Sequence, residues 1–259
     1  MNALMCATQS PAGFEFIHKV EKGYELLTDS AEIDADVCLG GKLFFAGELD
    51  EEGRAIIAAA NIAGAATLAA SADSSVQRQA IRDGIADFLV TTLDEALRIL
   101  KNELRKRQTV AVCVGVTPEA MECEVQERGV APDLMRSEVS GRAGGSDWEG
   151  ARWSVDIAPA QWLPRLDAIA AECLGSDAWR ARRWLRLAPR YLGRLAHGVR
   201  ALRCNRGVAE EFARRIQSSV KRGEIPVEVK MELSFGDEYE AMRFVPTETA
   251  GGNQARSSS

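Results

Sequence analysis

Residues 40–84, GGKLFFAGELDEEGRAIIAAANIAGAATLAASADSSVQRQAIRDG, decide the fold. Residues 42–46 read as a short buried strand. Gly47 and Gly53 bracket a turn, an alanine-rich helix runs from about Arg54, and residues 65–70 form a second strand. This is a βαβ unit. In such units the first strand-to-helix turn is where a pyrophosphate would lie against a helix N-terminus. Here that turn carries four carboxylates, Glu48, Asp50, Glu51 and Glu52. The position built to welcome an anion is filled with anions.

The same alternation continues downstream. Asp73 is placed as the N-cap of a helix over residues 74–83. Residues 88–90 read as a strand. Thr92 then caps a helix whose apolar positions Leu93, Ala96, Leu97, Leu100 and Leu104 keep helical spacing, with Glu95 completing a capping box. Residues 109–116 are an almost unbroken apolar run, as expected of a strand covered on both faces. Pro118 opens a further helix through Glu127, Arg128-Gly129 ends it, and residues 130–135 lead to the next strand. Strand–helix alternation over residues 41–136 predicts an α/β, Rossmann-like parallel sheet with helices on both faces.

Upstream, residues 13–39 show short apolar groups between polar residues, read as a strand or edge element followed by a helix. Residues 137–150 read as loop. Between Ala178 and Ala209 stand nine arginines and no acidic residue. The apolar positions Trp184, Leu187, Tyr191, Leu195, Val199 and Leu202 form a helical stripe there, so an Arg/Trp-rich helical segment is expected alongside the sheet. Residues 208–221 read as a helix and 225–233 as a strand. The expected organisation is therefore a Rossmann-like domain at 13–136, a loop and Arg/Trp-rich lobe at 137–207, a helix and strand returning to the Rossmann domain at 208–235, and a disordered tail at 236–259.

The order GKLFFAG, GAATLAASADSSVQRQAIRDG, TTLDEALRIL, VAVCVG and ERGVAPDL resembles the central domain of the urocanases (urocanate hydratases). Weaker likenesses lie in GFEFIHKVEKGYEL (13–26) and VKRGEIPVEVKMEL (220–233). The resemblance implies a Rossmann-like fold holding NAD as an electrophile, a role in histidine catabolism, and a homodimer. In the family the turn after the first strand is glycine-rich and leads into Ala-Gln-Pro. This chain keeps Gly47 and Gly53 but fills the space between them with acids. The family has a glutamate where Ser71 stands and an arginine where Val76 stands. Of a Gln-Thr-Ser-Ala-His signature only Ser140 survives, within Glu138-Val139-Ser140-Gly141-Arg142. The Asp-Tyr-Gly-Asn, Cys-Arg-Gly-Ile-Gly-Pro-Phe-Arg and Gly-Arg-Asp-His-Leu-Asp segments do not occur. The expectation is a scaffold without hydratase activity or catalytic residues, acting as a binding or regulatory module with no cofactor. Were NAD bound, Gly47, Gly53 and Ser140 would be its contacts. The alternative is a shortened hydratase using NAD.

Composition narrows the remaining classes. The chain has 259 residues, 46% apolar and 27% charged, with a net charge of −6. No run reaches the roughly 18 apolar residues of a membrane span, and the N-terminus lacks a signal-peptide pattern. Six cysteines without CxxC spacing read as reduced thiols in a cytoplasmic protein, and two histidines do not support metal chemistry. His18 and His197 have no carboxylate at readable spacing for acid–base work. The nine arginines leave −6 − 9 = −15 on the rest of the chain. That asymmetry marks Arg180, Arg182, Arg183, Arg186 and Arg190 as a surface for an anionic partner such as nucleic acid, or as a solvated or internally docked helix face.

Overall fold

A computed structural model describes residues 11–29, 35–140, 148–193 and 197–246. The elements at the sheet follow the expected alternation: β1 (Leu43–Glu48), α2 (Glu51–Ala63), β2 (Ala66–Ala70), α3 (Ser74–Arg82), β3 (Phe88–Val90), α4 (Leu93–Lys106), β4 (Val110–Val114), α5 (Pro118–Glu127) and β5 (Leu134–Met135). Among the described residues they form a five-stranded parallel sheet in the order β3-β4-β2-β1-β5. The helix starts follow local chemistry. Thr92 accepts from the Glu95 N–H, Thr117 from the Ala120 N–H with Pro118 behind it, and Asp73 from the Ser75 N–H.

Side-chain parity sorts the two faces of this sheet. Leu43, Phe45, Leu68, Val110, Val112 and Val114 pack with Leu93, Leu100 and Met121 of α4 and α5. Their neighbours Phe44, Ala46, Ala69, Ala111 and Cys113 face the other way, into a core shared with α2. Alternate residues point to opposite faces of a strand, so a sheet covered on both sides reads as a continuous apolar run. On the second face α2 is itself covered by α1 (Pro11–Asp29) and by α8 (Trp179–Leu192). A helix buried all round needs small side chains to fit between two layers, which accounts for Ala55 and Ala58–Ala60. Arg54 on this helix pairs with Asp83.

Residues 13–29 are helical throughout, where a strand or edge element followed by a helix was expected over 13–39. Ile17, Val20, Tyr24 and Leu27 are all buried, at spacings of three and four. The short apolar groups are one helical stripe cut by polar residues. Residues 137–140, expected as loop, belong to the single-turn helix α6 (Arg136–Ser140) directly after β5.

Beyond residue 148 the architecture departs further from expectation. β6 (Gly150–Ser154), β7 (Val199–Arg203), β8 (Val229–Phe235) and β9 (Glu238–Phe244) make a second sheet, antiparallel, in the order β7-β6-β8-β9. Helices α9 (Arg206–Lys221) and α8 pack on it, and α7 (Pro159–Cys173) packs against both of these helices. β8, expected as a strand leading back to the Rossmann domain, pairs with β6 and β9 in this second sheet. The stripe read as one helix through Leu202 ends at Leu192. Gly193, at φ 48, breaks it, and Val199 and Leu202 lie on β7. The tail expected to be disordered from 236 supplies β9, whereas 247–259 lie outside the described residues. Trp153 of β6 meets Phe212 of α9 edge-on at 4.9 Å, anchoring this half of the core. Among the described residues no helix is long and apolar enough to cross a membrane.

Candidate functional site at the ends of β1 and β5

From β1 the chain crosses to β2 on one side, while β5 docks on the other side of β1. The crevice beyond the C-terminal ends of β1 and β5 is therefore the topological switch point, where open α/β sheets place their ligands. Two segments meet there: Glu48–Glu52 after β1, and Arg136 immediately after β5.

Asp50 takes the N-cap of α2, and its Oδ1 accepts from the Gly53 N–H at 2.6 Å. Arg136 closes over this turn with a two-pronged grip. Its Nη1 donates to Asp50 Oδ1 (3.0 Å) and to the Glu48 carbonyl (3.2 Å). Its Nη2 donates to Asp50 Oδ2 (3.1 Å) and to Glu52 Oε2 (3.2 Å). Lys19 of α1 pairs with Glu51 at 2.6 Å. Burial opposes charge on Asp50, but the guanidinium and the Gly53 N–H outweigh it and hold the carboxyl below the usual range. The positive end of α2 is thus neutralised by the chain's own acids, and those acids by the chain's own cations.

Of the three candidate contacts, Gly47 and Gly53 bracket this turn. Gly47, the last residue but one of β1, has φ +67 beside a register shift, with nothing within 4 Å of where a Cβ would stand. Gly53 has a packing reason: a Cβ there would lie 1.9 Å from the Glu48 carbonyl oxygen and 2.9 Å from Asp50 Oδ1. Ser140 closes α6, which packs on α1 and β1; its side chain lies outside the described part of the structure, as does Arg142. Arg136 was not singled out from the sequence. The available signal was its place as the first residue after the strand that flanks β1.

Other family-matched positions have local roles. Ser71 Oγ accepts from the Asp73 N–H at 3.3 Å, and Val76 packs at the edge of the larger core. Asp133 accepts from the Leu43 N–H at 2.8 Å and pairs with Lys42 at 3.1 Å, tying β5 to β1.

His18 and His197 do not join this site. His18 sits on α1 with its Nδ1 buried and unpartnered. Burial, then the nearby charges of Arg152, Arg203 and Lys22, lower its pKa. His197 is exposed in the turn before β7. Cys113 is buried in β4, where burial pushes its thiol up to about 11, and Cys123 is exposed on α5.

The arginines of α8 divide into two groups. Arg183 donates from Nε to the Ile62 carbonyl (2.9 Å) and from Nη2 to the Ala63 carbonyl (3.2 Å), closing the C-terminus of α2. Gly64 at φ +97 makes room for it, since a Cβ would lie 2.7 Å from Arg183 Nη2. Arg182 likewise donates to the Leu174 and Gly175 carbonyls after α7 (2.6 and 3.2 Å), and Arg180 pairs with Asp29 at 2.6 Å. These three groups act within the fold. Arg186 and Arg190 are exposed and form no ion pair among the described residues. Comparison with known families adds one finding: residues 20–143 match the family model of the urocanase Rossmann-like domain.

Proposed function

Because residues 20–143 form a urocanase-family Rossmann-like domain, we propose that this chain keeps the family's scaffold without its hydratase activity and works as a binding or regulatory module. The observation that carries the reading is the capped and clamped switch point. The Gly53 N–H, which a phosphate would meet, already donates to Asp50, and Arg136 covers that carboxylate. NAD, the cofactor the resemblance implies, does not fit these residues. Its pyrophosphate would displace a charge-paired cap and face Glu48, Glu51 and Glu52. Each like-charge contact at ~4 Å costs about 1 kcal/mol in water and several times more where water is excluded. A serine in place of the family's glutamate at position 71 removes the usual ribose acceptor as well.

Purified protein would be tested by releasing any bound nucleotide with acid and by titrating NAD calorimetrically. The expected result is no released nucleotide and no heat of binding up to millimolar NAD. Near one NAD per chain would overturn the reading. The shortened hydratase would then lead, and loss of urocanate's ultraviolet absorbance would be the assay to follow. For a module of this kind, Arg186 and Arg190 are the described arginines of α8 left for an anionic partner. Retention on a polyanion that falls with salt and is lost in a double alanine variant would support that use.

A further inference from the structure

On a different face of α1 from the switch point, a cleft of about 430 Å³ opens between α1, the start of α8 and β7. That volume is in the range of small-molecule sites. Its apolar wall is aromatic. The Tyr24 and Trp184 rings meet with centroids 5.5 Å apart, and Trp179 stands at the rim. Both inner rings are anchored by their polar ends: the Trp184 Nε1–H donates to the Ala201 carbonyl (2.8 Å) and the Tyr24 hydroxyl to the Arg180 carbonyl (3.2 Å). Their orientation is therefore set by the fold and needs no ligand.

Among the side chains lining this cleft four carboxylates face two guanidinium groups, with Arg183 and Arg186 also near enough to act on Tyr24. Of the four carboxylates, Glu25 is matched by Arg203 at 2.8 Å and Asp29 by Arg180 at 2.6 Å. Glu21 and Asp177 have no such match among the described residues. Glu21, 3% exposed, receives only uncharged donors, the Trp148 indole N–H and the Arg203 backbone N–H (2.7 Å). At the rim the Trp179 ring already carries one of the chain's own cations, the Arg180 guanidinium, 5.3 Å from its centroid. Aromatic faces beside surplus carboxylates favour cations over neutral or anionic ligands of the same shape.

We propose that this cleft binds a small planar organic cation, an amidinium or guanidinium carried on a flat apolar body. The aromatic wall takes the body and one flank of the charge, and Asp177 and Glu21 supply the unmatched negative charge. This site is independent of the switch point and stands whether or not NAD binds there.

Benzamidine is the probe, titrated calorimetrically into the full chain at pH 8, with benzoate as the anion of matching shape. Benzamidine is expected to bind with a dissociation constant at or below about 1 mM, and benzoate to give no binding over the same range. Asp177→Asn, at an exposed position, and Trp179→Ala, at a half-buried position packed against the core, are each expected to weaken benzamidine binding by roughly five- to tenfold. Far-ultraviolet circular dichroism would check that both variants fold. Benzoate binding as tightly as benzamidine would reassign the cleft to anions through Arg180 and Arg203 and overturn the proposal. So would the absence of benzamidine binding, or a folded variant of either kind that binds it as the parent chain does.

Discussion

Replacing Gly53 by alanine sets two effects of opposite sign against each other. In an unhindered helix the change stabilises, by about 0.5–1 kcal/mol, because glycine loses more backbone freedom on folding. Here the new Cβ would stand 1.9 Å from the Glu48 carbonyl oxygen and 2.9 Å from the Asp50 carboxylate that caps the same helix. The closer obstacle is backbone at the end of β1, which cannot turn aside as a long side chain can. Overpacking costs about 1–3 kcal/mol, and a 1.9 Å approach to backbone belongs in the upper half of that range, about 2–3 kcal/mol, so the clash wins by roughly 1–2 kcal/mol. For a chain of this size that lowers Tm by roughly 2–8 °C. Urea unfolding should show a lower midpoint with an unchanged slope. A Gly53→Ala protein as stable as the parent, or more so, would refute the argument. It would mean that Gly53 is retained for a ligand's approach and not for the packing of β1 against α2.

Three further outcomes follow from the geometry. Asp50→Ala removes an N-cap and a partner of Arg136, and should cost about 1–2 kcal/mol. A cycle with Arg136→Ala should show coupling of only about 0.3–1 kcal/mol, because the Asp50 side chain is 42% exposed; unfolding curves of the four proteins measure both. Glu21 is buried and its carboxyl is pushed up to about 7. The folded chain then holds this proton more tightly than the unfolded chain, whose carboxyl titrates near ~4.3. Stability from this group is full below the unfolded value and is lost as pH rises through about 7. Glu21→Gln should remove that fall, and identical pH profiles for the two proteins would contradict it. Arg183→Ala leaves the Ile62 and Ala63 carbonyls without their charged donor and should cost about 2 kcal/mol. Arg186→Ala and Arg190→Ala should stay within about 0.5 kcal/mol of the parent, so thermal melts of the three separate clamp from surface.

Much of the sheet was legible because its signals are local. Thr92 and Asp73 announce helix starts through hydrogen bonds that span two or three residues, Pro118 announces another through its fixed φ, and the alternation of buried valines and alanines marks strands covered on both faces. The acids between Gly47 and Gly53 were likewise visible, and with them the conflict with a phosphate. Only the tertiary structure decided what those acids do. Arg136 reaches Asp50 across 86 residues, and it does so because β5 docks beside β1, a choice of neighbour that no periodicity encodes. The same reason hid the second sheet. A strand such as β8 carries a pattern of inward and outward residues, but the identity of the edge it joins is set by long-range pairing and by which faces remain to be buried. The arginines of α8 show the limit most plainly. Their number and clustering are properties of the sequence. Whether a guanidinium meets a partner or closes a neighbouring helix depends on the carbonyls that folding leaves within its reach.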